Sequence, residues 1–285
     1  MTTASSHIAP APGPAVLMVL GSCASLQIGA ALAARLFPVT GSAGATLLRL
    51  GLAAGVLLAV ARPAVRSWRR HQWRAVLLLG AALAGMNGFF YAALARIPLG
   101  PAVTIEFLGP LTLAAVLSRR ARDYGWVLLA AAGVAVFGFA DGGATLDPVG
   151  VALVLAAAVF WALYILASTH AGAAIAGQGG LAVAMAFGAL VLLPGGVTGA
   201  EKAVTSPHLL LIALGTGLLA SVIPYSLELS ALRRLPQRAF GILLSLEPAV
   251  AALAGWLLLA QPLTPAAASA VVLVVLASIG STAFA

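Results

Sequence analysis

Long apolar stretches recur along almost the whole chain, and short clusters of Arg, Pro and Gly separate them. A helix needs about 20 apolar residues to cross the hydrocarbon core of a bilayer. The alternation of apolar runs and polar interruptions therefore predicts an all-α membrane protein with ten transmembrane helices. The expected spans are 15–35, 43–61, 75–95, 98–118, 124–140, 149–169, 180–198, 208–231, 238–259 and 265–284.

Composition supports this class of protein and excludes a soluble one. Of the 285 residues, 62% are hydrophobic and 8% are charged, whereas a soluble domain carries about 25% charged residues. So few polar side chains cannot cover the surface of a water-soluble enzyme. The single cysteine, Cys23, cannot form a disulfide within the chain.

The basic residues indicate how the chain is oriented. The net charge is +8, and 14 of the 15 basic residues are Arg. Because Lys and Arg accumulate on cytoplasmic loops, the richer loops and both termini are expected in the cytoplasm. Lipid head groups explain the Arg runs better than nucleic acid does. One side carries eleven cations, Arg62, Arg66, Arg69, Arg70, Arg74, Arg119, Arg120, Arg122, Arg233, Arg234 and Arg238, and the other three, Arg35, Arg96 and Lys202.

The two halves of the chain resemble each other. Segment 93–114 matches segment 231–252 at an offset of 138 residues, with seven identities over 22 positions that include two prolines in each copy. We therefore expect two five-helix repeats, 15–140 and 149–285. An odd number of spans inverts the second repeat in the membrane, as in secondary transporters that bind substrate near the midplane between their halves.

Three carboxylates lie within the predicted spans, where a charge costs about 2.5 to 3.5 kcal/mol on insertion scales. Glu106 and Glu247 fall near mid-depth and are expected to face a central cavity, unless they serve only as hydrogen-bond acceptors that hold the helices together. Glu228 lies nearer the cytoplasmic end, where Arg233 or Arg234 could instead pair with it.

One cation, Arg49, also lies within a span. Its guanidinium is expected either to form a salt bridge with Glu106, which is the favoured interpretation, or to bind a substrate carboxylate. Gly51 and Gly55 have the spacing of a close helix-packing motif. Polar and aromatic residues with spacings that suit either cavity lining or packing are Gln27, Asn87, Tyr91, Trp161, Tyr164 and Tyr225.

Several kinds of site are not readable in the sequence. The four His residues are scattered over loops and tails, and no nucleotide-binding glycine pattern follows a strand. We therefore expect no metal, no cofactor and no enzymatic activity. A membrane receptor or scaffold would not need three intramembrane carboxylates, so transport is the leading hypothesis.

Particular motifs resemble those of a known family, the drug/metabolite transporter superfamily of the EamA type, and most of all its threonine and homoserine exporters. The resemblance implies ten helices in two inverted repeats and export of small amino acids or related metabolites across the bacterial inner membrane, driven by protons. It also matches Glu106, Tyr225, Glu228 and Glu247 to polar motif positions of the family. The matching segments are 97–103, 106–111, 161–166, 223–228, 231–236, 240–241, 245–249 and Gly255.

Two alternatives stay open. A broad-specificity exporter of drugs or aromatic metabolites would also suit the aromatic residues. An uncoupled facilitator is the other, because Gln261 stands where many members of the family carry Glu. The expected partners are a small-molecule substrate, protons carried by Glu106 and Glu247, and the lipid bilayer. The expected substrate-binding residues are Glu106, Tyr225, Glu228, Glu247, Asn87, Tyr91, Trp161, Tyr164, Gln27 and Arg49.

Overall fold

The structure, a computed structural model, describes residues 12–118, 121–139, 146–232, 234, 240 and 243–283. Helices form nearly all of these segments, and no strand occurs within them. The helices are α1 (Pro12–Ala34), α2 (Phe37–Ala61), α3 (Arg70–Leu94), α4 (Leu99–Glu106), α5 (Leu108–Ser118), α6 (Ala121–Phe139), α7 (Pro148–Ala174), α8 (Gly179–Val204), α9 (Pro207–Gly217), α10 (Ile223–Leu232), α11 (Glu247–Leu259) and α12 (Pro265–Ala283).

Seven helical stretches within the described residues are long and apolar enough to cross a membrane. They confirm an all-α protein that passes through the membrane several times. Three shorter apolar helices, Asp123–Val136, Glu247–Leu259 and Pro265–Ser281, overlap the three other expected spans. The start of the expected span 238–259 falls partly outside the described residues. The seven stretches are Pro14–Ala34, Phe37–Ala61, Arg70–Leu94, Leu99–Leu117, Pro148–Ala174, Gly179–Val204 and Pro207–Glu228.

Two spans consist of paired helical segments. The α4 and α5 segments meet at Phe107, and α9 and α10 are joined by a π-helical turn at Leu218–Val222. Proline explains the position of both breaks, since Pro110 and Pro224 have no backbone N–H to continue the helical hydrogen-bond ladder. Both prolines line the central cavity.

The first and second halves of the chain interleave. Helix α2 packs on α8, α3 on α7 and α8, α6 on α12, α1 on α10, and α4 on α11. The largest buried cluster draws residues from both halves, among them Leu36, Leu99, Val154 and Val274. The largest buried core therefore lies between the two halves of the chain.

Small residues allow the closest of these approaches. A Cβ added to Gly29 on α1 would lie 2.5 Å from the backbone nitrogen of Ala220. One added to Gly44 on α2 would lie 2.9 Å from the carbonyl carbon of Gly199 on α8. The expectation for Gly51 and Gly55 is wrong, because a Cβ at either position meets no heavy atom within 4 Å. Close packing uses glycines on other faces, where a partner backbone lies opposite.

An ion pair joins two loops at one end of the bundle. The Arg96 guanidinium donates to Asp147 Oδ2 over 2.9 Å. This hydrogen bond, with a second from the Val149 backbone N–H at the start of α7, holds the pKa of Asp147 below its usual range. Asp147 thereby caps the N-terminus of α7.

We expect Gly29→Ala to destabilise the protein by about 1 to 3 kcal/mol, because the added methyl overlaps backbone atoms that cannot move independently. Gly51→Ala is the matched control, since open space surrounds that position. Thermal unfolding in detergent measures both. Equal melting temperatures for the two variants would contradict the close contact between α1 and the π-helical turn.

Candidate functional site

A cavity of about 440 Å³ lies where the two halves meet. Its volume is within the range of small-molecule sites. Residues from both halves line it, on α1, α2, α3, α4, α5, α7, α10, α11 and α12. Four of the lining residues are ionisable carboxylates or cations, Arg49, Glu106, Glu228 and Glu247.

The break between α4 and α5 places Glu106 at a chain bend. Pro110 cannot donate to the backbone carbonyl four residues earlier, which belongs to Glu106. The helix ends at that residue, and its carboxylate lies against the cavity. The Glu106 side chain is 7% exposed and makes no hydrogen bond with the part of the chain that the structure describes.

The break between α9 and α10 is stabilised from the other half of the protein. Pro224 cannot donate to the carbonyl of Ala220, and Arg49 Nη2 donates to it instead over 2.6 Å. Arg49 Nε also donates to Ser221 Oγ over 3.1 Å, and Ser25 Oγ donates to the Leu219 carbonyl over 2.7 Å. Side chains of α1 and α2 thus replace the missing helical hydrogen bonds.

Arg49 is held by a third contact. Its Nη1 donates to the Tyr91 hydroxyl over 3.1 Å, and its guanidinium carbon lies 5.3 Å from the centre of the Tyr91 ring. The favoured interpretation of Arg49 is wrong. It forms no salt bridge with Glu106, and Arg96–Asp147 is the single ion pair found among the described residues. Three of the five guanidinium N–H groups bond to protein atoms, so two remain.

The other two carboxylates each accept one hydrogen bond from α1. Ser22 Oγ donates to Glu228 Oε1 over 2.6 Å, and Gln27 Nε2 donates to Glu247 Oε1 over 3.0 Å. The Oε1 atom of Gln27 is buried and has no hydrogen-bond partner among the described residues. Helix α1 therefore presents a polar face to both acids.

The sequence left open whether Arg233 or Arg234 pairs with Glu228, and Arg234 does not. The exposed Arg234 side chain contacts the sulfur of Met18 at 3.9 Å and forms no ion pair with Glu228. Arg233 lies outside the described residues. Glu228 is hydrogen-bonded to a neutral hydroxyl.

Aromatic rings form a second wall of the cavity. Trp161 meets Phe107 edge to face, with ring centres 5.0 Å apart, and Tyr164 lies 6.4 Å from Tyr225. Asn87 also lines the cavity, and its Nδ2 donates to the Leu83 carbonyl in its own helix over 2.8 Å. The cavity thus combines an apolar surface with a few polar atoms.

Nine of the ten expected binding residues line this cavity, namely Glu106, Tyr225, Glu228, Glu247, Asn87, Trp161, Tyr164, Gln27 and Arg49. Tyr91 does not line it. Tyr91 is fully buried beside Arg49. Sequence reasoning missed Ser278 and Ser281, which also line the cavity; their spacing of three residues on one helical face is the signal that could have found them.

Gln261, which raised the possibility of uncoupled transport, lies outside the cavity lining. Its Oε1 accepts a hydrogen bond from the backbone N–H of Leu99 over 3.0 Å, at the first turn of α4. The side chain therefore caps the helix that carries Glu106. A Glu side chain at this position would also offer an oxygen to accept the hydrogen bond from the Leu99 N–H.

The structure offers no cluster for a metal. Within the residues that it describes, no group of three or more His, Cys, Asp or Glu side chains could hold a metal ion. The polar groups of the cavity are suited to hydrogen bonding and charge pairing. Helices that span a membrane and enclose a cavity with charged side chains define a membrane transporter of small molecules.

Comparison with known proteins gives the family. Residues 148–283 match the profile of the EamA-like transporter family. The chain is 39% identical over 268 residues to the threonine/homoserine exporter RhtA of Escherichia coli (strain K12), which covers 94% of this chain and 90% of that protein. The threonine/homoserine exporter RhtA of Salmonella typhimurium (strain SL1344) matches with the same identity and coverage. The chain belongs to the EamA-like transporter family.

A solved crystal structure shares the fold. It superposes with a TM-score of 0.64 over 96% of this chain and 98% of the other, at 22% sequence identity.

We expect Gln261→Leu to lower stability by about 1 kcal/mol, because it leaves the Leu99 N–H without its acceptor. Gln261→Glu keeps an acceptor oxygen and adds a negative charge at a helix N-terminus, so its stability should equal or exceed that of the wild type. Thermal unfolding of the two purified variants distinguishes them. A stable Leu variant would mean that Gln261 does not cap α4.

Proposed function

We propose that this protein is a secondary exporter of small amino acids of the threonine and homoserine type, working by alternating access across the bacterial cytoplasmic membrane. The observation that carries the proposal is one cavity with Arg49 and Glu106 on its wall. Among the described residues, Arg49 forms no ion pair and Glu106 accepts no hydrogen bond. The relatives at 39% identity are threonine/homoserine exporters, which supports the same substrate class.

The charges suit a zwitterion. Arg49 retains two N–H donors for a substrate carboxylate, and a fork of two donors matches the two oxygens of that group. None of the described residues donates a hydrogen bond to Glu106, so a substrate ammonium would provide a donor. An unpaired charge in a medium of low polarity is costly, and a zwitterion would compensate both charges at once.

The other lining residues would contact the substrate side chain and complete the walls of the site. Gln27, Asn87, Tyr225, Glu228 and Glu247 bring polar atoms, and Trp161 and Tyr164 bring apolar surface. A substrate hydroxyl could exchange hydrogen bonds with these polar groups. Tyr91 has a different proposed role, which is to position Arg49 from behind.

The proposed architecture is ten spans in two inverted repeats, residues 15–140 and 149–285, with both termini in the cytoplasm. The pairing of helices across the two halves supports it, as does the family match over residues 148–283, which cover the proposed second repeat. Eleven of the fourteen cations outside the spans would then face the cytoplasm.

Protons would drive export through Glu106 and Glu247. A substrate ammonium and a proton compete for an otherwise unpaired carboxylate, so protonation from outside would expel the amino acid and deprotonation inside would restore the site. A proton on Glu247 would also have a nearby acceptor, since Gln27 Oε1 is buried without a partner.

A broad-specificity exporter of aromatic metabolites is the second candidate, and the aromatic wall favours it. Phe107, Trp161, Tyr164 and Tyr225 present large rings to the cavity. Stacking would then dominate binding, and the two charges would matter less. The response of Arg49 variants to different substrates separates the candidates.

We expect Arg49→Gln to weaken threonine binding in proteoliposome counterflow by tenfold or more, because a hydrogen-bonded charge pair is worth about 1.5 to 3 kcal/mol. Threonine amide, which has no carboxylate, should compete poorly with threonine for the wild-type protein and equally poorly for the variant. Tyr91→Phe keeps the charge of Arg49 and removes one of its acceptors, so a smaller loss is expected. Unchanged threonine affinity in Arg49→Gln, with aromatic compounds still competing, would favour the second candidate.

We expect Glu106→Gln to abolish export against a gradient, because Gln keeps the size of the side chain and cannot carry a proton. Counterflow without a pH gradient reports whether the variant still binds and moves substrate. The matched control is Glu201→Gln, an exposed acid outside the cavity. Uphill, pH-dependent export by Glu106→Gln would assign coupling to Glu228 or Glu247, and pH-independent transport by the wild type would indicate a facilitator.

A further inference from the structure

A basic surface lies between α2 and α3, formed by five Arg side chains and two Trp rings. All five Arg residues are exposed, and the two rings, partly buried, meet edge to face with their centres 5.4 Å apart. We propose that this surface is a binding site for anionic phospholipid head groups. Its members are Arg62, Arg66, Arg69, Arg70, Arg74, Trp68 and Trp73.

The segment that carries the basic surface is folded. A short 3₁₀ helix, Val65–Ser67, follows α2, and the Arg62 backbone N–H closes the end of α2 on the Leu58 carbonyl over 3.0 Å. Gln72 accepts from the Arg69 backbone N–H over 2.9 Å and donates to the Ala174 carbonyl at the end of α7 over 2.8 Å. The Arg side chains therefore project from a fixed framework, so less ordering is required when an anion binds.

No protein anion neutralises the basic surface in the part of the chain that the structure describes. The ion pair found among the described residues, Arg96–Asp147, lies in other loops. The sequence contains no Asp or Glu between Met1 and Ile105. Five guanidinium groups within 13 positions, 62 to 74, thus have no carboxylate within the first 105 residues of the sequence, and no ion pair is found for them among the described residues.

The arrangement of these charges is unfavourable by itself. Arg70 and Arg74 are four residues apart on one face of α3, where like charges destabilise a helix by a few tenths of a kcal/mol. Arg69 and Arg70 are at its N-terminus, where the helix dipole favours anions, and the first turn contains no acid. Bound anions would offset the repulsion between the Arg side chains and would interact favourably with the N-terminus of α3. Both effects favour anion binding here.

The location of the basic surface identifies the anion. It joins two candidate membrane spans, Phe37–Ala61 and Arg70–Leu94, so it would lie at the membrane surface near the level of the lipid phosphates. Trp68 and Trp73 are the residue type enriched at that level. An Arg side chain can bind a phosphate with two parallel hydrogen bonds, and each basic residue near an anionic membrane contributes about 1 kcal/mol.

The test uses the full-length protein in nanodiscs of phosphatidylcholine containing a small fraction of spin-labelled lipid. Electron paramagnetic resonance measures the fraction of label that the protein immobilises, once with labelled phosphatidylglycerol and once with labelled phosphatidylcholine. We expect clear selectivity for phosphatidylglycerol that declines as salt is raised. In Arg70→Gln/Arg74→Gln, the relative affinity should fall by at least about fivefold, because two basic residues that contribute about 1 kcal/mol each are removed.

Two controls accompany this variant. Arg70→Lys/Arg74→Lys keeps both charges and should keep most of the selectivity, and Lys202→Gln removes a distant cation and should change nothing. Lipid binding at this surface does not require transport, so counterflow of threonine by the same samples is an independent readout. Equal immobilisation of the two lipids by the wild type, or unchanged selectivity in Arg70→Gln/Arg74→Gln, would overturn the proposal.

Discussion

A backbone carbonyl inside a membrane must find its hydrogen-bond donor within the protein. Ala220 illustrates this requirement, because its helical donor is missing where residue 224 is proline. Arg49, from the other half of the chain, donates to that carbonyl over 2.6 Å. A single buried guanidinium therefore holds the broken helix, links the two halves and places a positive charge on the wall of the cavity.

The polar character of the cavity follows from this arrangement. Ser25 supports the same π-helical turn, and its neighbours on α1, Ser22 and Gln27, hydrogen-bond to Glu228 and Glu247. Gly29 allows α1 to approach the turn closely enough for these contacts. Among the described residues, Glu106 is the cavity acid that accepts no hydrogen bond, and Arg49 is the one cation in the cavity lining. A zwitterionic substrate is a ligand that would compensate both.

Sequence patterns were enough to predict the class of fold and the four charged residues of the cavity lining. Charged residues such as Glu106 and Glu247 stand out in apolar runs, and their cost in a membrane argues for a cavity. The pattern could not say which helix lies opposite a given face. For that reason Gly51 and Gly55 were assigned to a contact that does not exist, and Gly29 was missed.

Long-range hydrogen bonds were equally hidden from the sequence. The partners of Arg49 in the π-helical turn are more than 170 residues away, and the π-helical turn alters the register in which α10 presents its side chains. From the sequence, Gln261 looks like the replacement of a carboxylate, whereas its contact with Leu99 shows that it caps a helix. Tyr91 shares a helical face with Asn87, yet it lies beside Arg49 and not at the cavity.

The most direct measurement is a cryo-electron microscopy structure of the protein in a lipid nanodisc with threonine bound. The account predicts the substrate carboxylate within hydrogen-bond distance of Arg49 and its ammonium within hydrogen-bond distance of Glu106, with the Arg49 to Ala220 contact present. Threonine in the cavity with its carboxylate away from Arg49, or bound outside the cavity altogether, would contradict the account.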